Sequence, residues 1–221
     1  GAAGTSRQQV LRLDDDSSDI EGSMIAEMVT QLKARAKHVD AIIVSDYGLG
    51  IVCEPVIEAA QALARKGHVV CVDSRYNLNR FTGVTAVTPN VPEAEATLGY
   101  AIDSQKTAAM AACALREKLS AKVVLLTQGR NGMTLSLGDA LEHTDIVGGD
   151  EVTDVTGAGD TVMATFALCL AAGLPAGYAM RLANCAASVV VNKRGAATCT
   201  QQELESAVVH EKLEFRGWDE K

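Results

Sequence analysis

No apolar run in the 221-residue chain approaches the ~18 residues that a membrane-spanning helix needs. The opening GAAGTSRQQ is small and polar, so no signal peptide is expected there. Basic residues are in deficit: Lys and Arg number 20 against 28 Asp and Glu, a net charge of −8. An acidic globule repels phosphate polymers and anionic lipid, which argues against nucleic acid and membrane surfaces as partners. The six cysteines form no CxxC pair, and His38, His68, His143 and His210 show no zinc spacing. Cys71, Cys113, Cys169 and Cys185 lie in apolar segments, as reduced core residues of a cytoplasmic protein would. Familiar phosphate motifs are missing too. There is no GxxxxGK[ST] string, and protein-kinase motifs are absent. A dinucleotide fingerprint fails at its third position, since Val162 follows Gly157 and Gly159, and Cys53 follows Gly48 and Gly50. No internal repeat or clear linker divides the chain.

What is present is an alternation of strand and helix patterns. Apolar residues make up 48% of the chain, enough for one domain over 1–221 that buries roughly 70% of its unfolded surface. QQVLRL (8–13) alternates like a half-buried strand, and 20–37 follow a helical period with Asp19 as a plausible cap. AIIVSD (41–46), HVVCVD (68–73) and KVVLLT (122–127) are continuous apolar runs, and TAVTPN (85–90) is a short strand. Helices are expected over 54–66, from Pro92, over 104–119, 157–172, 176–193 and 201–213. GMTLSL (132–137) alternates and reads as antiparallel. The pattern predicts an α/β fold in which helices cover both faces of a mostly parallel sheet. Function then gathers at the carboxyl ends of the strands, where Asp46, Asp73, Asn90 and Thr127 sit.

One heptapeptide, DVTGAGD (154–160), opens a helix with two glycines beside an acid. Glycine weakens a helix. A helix start nearly free of side chains, however, presents unpaired N–H groups and a positive dipole end to an anion. A carboxylate there repels a bare phosphate but suits a hydroxyl about to attack one. Asp160 would orient that hydroxyl and take its proton, while the amides of Gly157, Ala158 and Gly159 hold the developing charge. The plainer alternative is a tight turn with Asp160 as a first-turn acid.

TDVTGAGDT resembles the signature of the ribokinase-like (PfkB) sugar kinases. The resemblance implies a three-layer αβα sandwich, ATP and Mg²⁺, Asp160 as catalytic base and Gly157–Gly159 as anion hole. It assigns Asp154 and Thr156 to a monovalent cation such as K⁺, with 193–197 closing that site. Asn90-x-x-Glu93 resembles the family's NxxE motif, with Glu93 organising Mg²⁺ through water and Asn90 supporting phosphates. By themselves these two are also a turn and a first-turn acid. TQGRNG (127–132) resembles the phosphate-cradling loop, Thr127, Gly129 and Gly132 being nucleotide contacts, although Asn-Gly alone also suits a hairpin turn. RLANCAASVVVNKRGAAT resembles the last helix and its nucleotide-side loop, which places Asn184 toward adenine unless it is an ordinary core position.

Within that family, VLRLD, SDYGLG and VTAVTPNVPEAEATLG look most like heptose 7-phosphate kinases. That subgroup makes a heptose 1,7-bisphosphate and is often fused to, or partnered by, an adenylyltransferase. Leu49 stands where the subgroup usually shows Lys, and Ser-Arg-Tyr (74–76) where it shows Pro-Lys-Gly, so Arg75 is either a replacement phosphate contact or a solvated charge. The resemblance further implies that first strands, a β-lid used for dimer contact and most sugar-binding residues precede VLRLD. Two other readings remain: a nucleotide-binding unit without turnover of its own, and a family kinase for another sugar or nucleoside.

Overall fold

The structure, a computed structural model, describes residues 20–148 and 154–211. The strand expected at 8–13 and the cap expected at Asp19 lie outside them.

Continuous apolar runs form the sheet as expected. Strands β1 (Ala41–Asp46), β2 (Val69–Ser74), β3 (Ala86–Val87) and β4 (Val123–Thr127) pair in parallel, in chain order. Strand β5 (Met133–Leu137) folds back antiparallel on β4, and β6 (Ala140–Thr144) antiparallel on β5. β6 has no counterpart in the sequence reading. Most of its residues are exposed, so no apolar alternation marks it, and pairing with β5 defines it.

Successive side chains point to opposite faces of a strand, and each face here has its own helices. Val70 and Val72, Val124 and Leu126 enter one core with α2 (Glu54–Arg65) and α4 (Gln105–Leu119). The helices α1 (Gly22–Arg35) and α3 (Val91–Leu98) flank that layer. Cys71, Val123 and Leu125 enter the other core with α5 (Ala158–Ala171) and α6 (Ala176–Val191), and α7 (Gln201–His210) packs on α6. The result is three layers, helix–sheet–helix. The first helix starts at Gly22 with Glu21 before it rather than at an Asp cap, and buries no residue of its own. The six cysteines are all unpaired. Among the described residues no helix is long and apolar enough to cross a membrane.

Candidate active site

Parallel pairing brings the carboxyl ends of β1 to β4 to one edge. Ser45 lies opposite Asp73, Asp46 opposite Ser74, and an isolated bridge joins Asn90 to Thr127. Beyond that edge opens a cleft of about 1300 Å³ whose walls include Asp73, Asn90, Glu93, Thr127, Gly129, Gly132, Ala158, Gly159 and Asn184.

Helix α5 begins at this cleft. Gly157, its cap, has φ +79°, a left-handed conformation that a side chain would strain. No side chain caps this end. The Ala158 N–H turns back to the Val155 carbonyl at 3.2 Å. Among the described residues the amides of Gly157, Gly159 and Asp160 have no acceptor, so these are the open donors. Asp160 is exposed in the first turn, and its Oδ1 accepts a 2.7 Å hydrogen bond from the Tyr47 hydroxyl. The carboxylate in turn pushes the Tyr47 phenol above its ordinary pKa, chiefly through that bond.

Asp154 ties two loops together. Its Oδ1 accepts the Thr156 N–H at 2.9 Å and its Oδ2 the Gly195 N–H at 3.0 Å; the Thr156 side chain first, then these two bonds, hold its pKa below the usual carboxylate range. The loop after α6 is thereby held against the start of α5. Lys193 secures the same loop from behind by pairing with Glu203 at 2.6 Å and donating to the Thr198 carbonyl.

Asn90 and Glu93 close the N-terminus of α3. Asn90 Oδ1 accepts the Glu93 N–H at 2.9 Å, while Glu93 takes the Asn90 N–H at 3.0 Å and the Asn90 side-chain amide at 2.8 Å. Both Glu93 oxygens are therefore oriented by Asn90, each with lone-pair capacity remaining. Asp73 faces this pair. Burial first, then the charges of Glu93, Asp160 and Asp46, raise its pKa to about 6. Among the described residues no three His, Cys, Asp or Glu side chains converge closely enough to cage a metal ion. The surplus negative charge fits a cation held partly by water and phosphate oxygens instead.

On the opposite wall, Thr127 donates its N–H to the Pro89 carbonyl at 2.9 Å. Gly129 and Gly132 carry positive φ, and a Cβ on Gly132 would fall 1.9 Å from the Thr144 carbonyl oxygen. Gly132 is thus required by the close passage of β6. Asn184 is buried and donates its amide to the Asp145 carbonyl at 2.6 Å. That amide holds the end of β6 in place. Arg75 is exposed, with its guanidinium 6.0 Å from the Tyr76 ring centre, and does not line the cleft.

Tyr47 escaped sequence reasoning. Asp73 and Asp46 were expected at the strand ends, but not the coupling of Asp73 to Glu93 and Asp160, which lie farther along the chain.

The pattern of the pfkB family carbohydrate kinases matches residues 14–203. The chain is 37% identical to the bifunctional protein HldE of Paramagnetospirillum magneticum over 212 residues, covering 94% of this chain and 43% of that protein. With HldE of Halorhodospira halophila it shares 39% identity over 204 residues, covering 91% and 42%. The chain therefore spans less than half the length of these curated relatives. Among solved structures it resembles Arabidopsis thaliana ribokinase complexed with ribose and ATP (TM-score 0.71, 22% identity, 81% of this chain and 58% of that one). It also resembles Escherichia coli phosphofructokinase-2 in complex with potassium (TM-score 0.71, 17% identity, 85% and 63%).

Proposed function

The chain belongs to the pfkB family of carbohydrate kinases, and from that premise we propose that it transfers the γ-phosphoryl group of ATP to a sugar-phosphate hydroxyl. The observation that carries this reading is the uncapped start of α5, where open amides and the Asp160 carboxylate meet beside a cleft large enough for a nucleotide.

In the proposed reaction the acceptor hydroxyl hydrogen-bonds to Asp160 Oδ2. As the acceptor oxygen bonds to the γ-phosphorus, the bond from that phosphorus to the ADP oxygen breaks, and the hydroxyl proton passes to Asp160. The amides of Gly157, Gly159 and Asp160 hold charge on the transferred group without reorganising. Thr127, Gly129 and Gly132 shape the wall taken by the remaining phosphates, with Asn90 beside them, and Asn184 borders the base. Glu93, with Asp73 beside it, would hold Mg²⁺ through water, which supplies charge neutralisation for the phosphates. Asp154 has no basic side chain paired with it among the described residues. Asp154, Thr156 and the 193–197 loop would therefore suit K⁺, the ion named with phosphofructokinase-2.

Heptose 7-phosphate is the favoured acceptor. This is supported by the resemblance of the SDYGLG and VTPNVPEAE strings and by the similarity to HldE proteins. Their bifunctionality supports an adenylyltransferase as the partner activity. The unpaired cysteines support a reducing, cytoplasmic setting. A second reading, nucleotide binding without turnover in this chain alone, is supported by its short span relative to those proteins.

The test is Asp160→Asn in the present chain. ADP release dependent on heptose 7-phosphate should fall by roughly 10²–10⁴-fold, while calorimetry shows ADP binding unchanged. Undiminished transfer by the variant overturns the assignment of the base. ADP binding by the unaltered chain without transfer to any acceptor supports the second reading.

A further inference from the structure

Among the described residues, Tyr47 is the one side chain that hydrogen-bonds to the Asp160 carboxylate from another element, across 113 residues of sequence. The residue is 53% exposed, so packing alone does not account for its placement. The loop that carries it is nonetheless held from two sides. Asp46, 4% exposed, accepts the Gly48 N–H at 2.9 Å on Oδ1. Its Oδ2 accepts the Ser74 hydroxyl at 2.7 Å and the Asn77 amide at 2.9 Å. Gly48 has φ +77°, and a Cβ there would stand 2.4 Å from the Tyr76 ring, so the turn after Tyr47 is clamped against the loop following β2. A buried, fully engaged carboxylate thus aims an exposed phenol at one oxygen of another.

We propose that Tyr47 is the positioning residue for the base: its hydroxyl holds Asp160 Oδ1, so that Oδ2 alone faces the acceptor hydroxyl. The proposal rests on the reading of Asp160 as base. Tyr47 keeps its proton throughout, since the adjoining carboxylate opposes a phenolate. A hydrogen bond donated by a phenol to one carboxylate oxygen fixes the orientation of the group and leaves the other oxygen free.

Two measurements test this on the chain as it stands. The first needs no turnover. In ¹³C-labelled tyrosine NMR, the resonance lost in Tyr47→Phe identifies the Tyr47 phenol, and its pKa should drop toward the ordinary 10.0 in Asp160→Asn. An unmoved titration overturns the contact and with it the proposal. The second is kinetic. Tyr47→Phe should reduce kcat by roughly 10-fold with KM for ATP unchanged. Unchanged kcat, in a preparation where Asp160→Asn is inactive, overturns the role of Tyr47 and leaves the base standing. Full activity of Asp160→Asn removes the base itself.

Discussion

Two helices, α3 and α5, end at the same cleft with opposite treatment of their N-termini. At α3, Asn90 and Glu93 exchange three hydrogen bonds and satisfy the first turn from within. At α5 the cap is a left-handed glycine, and three amides have no acceptor among the described residues. A capped end is stable without a ligand, whereas an uncapped one leaves donors that an anion can take up. The wall that carries charge on side chains is therefore self-sufficient. The wall proposed to meet the moving phosphoryl group is deliberately bare. Asp73 is raised toward neutrality by burial first and then by the carboxylates that both helices carry.

Below the loss expected for Asp160→Asn, the largest effect should come from removing the Asp73 charge. Native Asp73 binds its proton more tightly than the unfolded chain does, with a pKa of about 6 against 3.8. Stability therefore falls as pH rises through the window from about 4 to 6, and the cost persists at neutral pH. Asp73→Asn should recover roughly 2–3 kcal/mol at pH 7 and flatten that window in urea titrations; an unchanged slope would show that Asp73 does not resist ionisation in the folded chain. Next, Gly157→Ala adds a methyl at φ +79° with its nearest neighbour, the Ala196 Cα, 4.0 Å away. Strain rather than collision should cost about 1–2 kcal/mol by thermal denaturation, and relaxation of the turn should slow phosphoryl transfer at constant ADP affinity. The smallest effect belongs to the capped end. Asn90→Ala should lower stability by about 1 kcal/mol in urea and release Glu93. If Asn90→Ala slows transfer more than Gly157→Ala does, the two ends have exchanged roles.

The parallel sheet was legible because β2 and β4 are apolar on both faces, a pattern produced by burial between two helical layers, and because β1 carries a continuous apolar run although its Ile43 face is exposed. β6 was illegible for the converse reason: with most of its residues exposed, nothing in its composition distinguishes strand from loop. The motif residues of the cleft were found by type and spacing, yet their engagements were not. Ala158 spends its amide inside a turn, Asn184 spends its amide on Asp145, and Arg75 lies over Tyr76 outside the cleft.

Local chemistry in the chain by itself determined that α5 starts on glycines and which carboxylate stands in its first turn, because both follow from residues a few positions apart. Tertiary structure decided which amides stay open, that Tyr47 reaches Asp160, and that Asp73 resists ionisation. Each of these depends on groups brought together by strand pairing from distant parts of the chain, and on the removal of water around them, neither of which is a property of any short stretch.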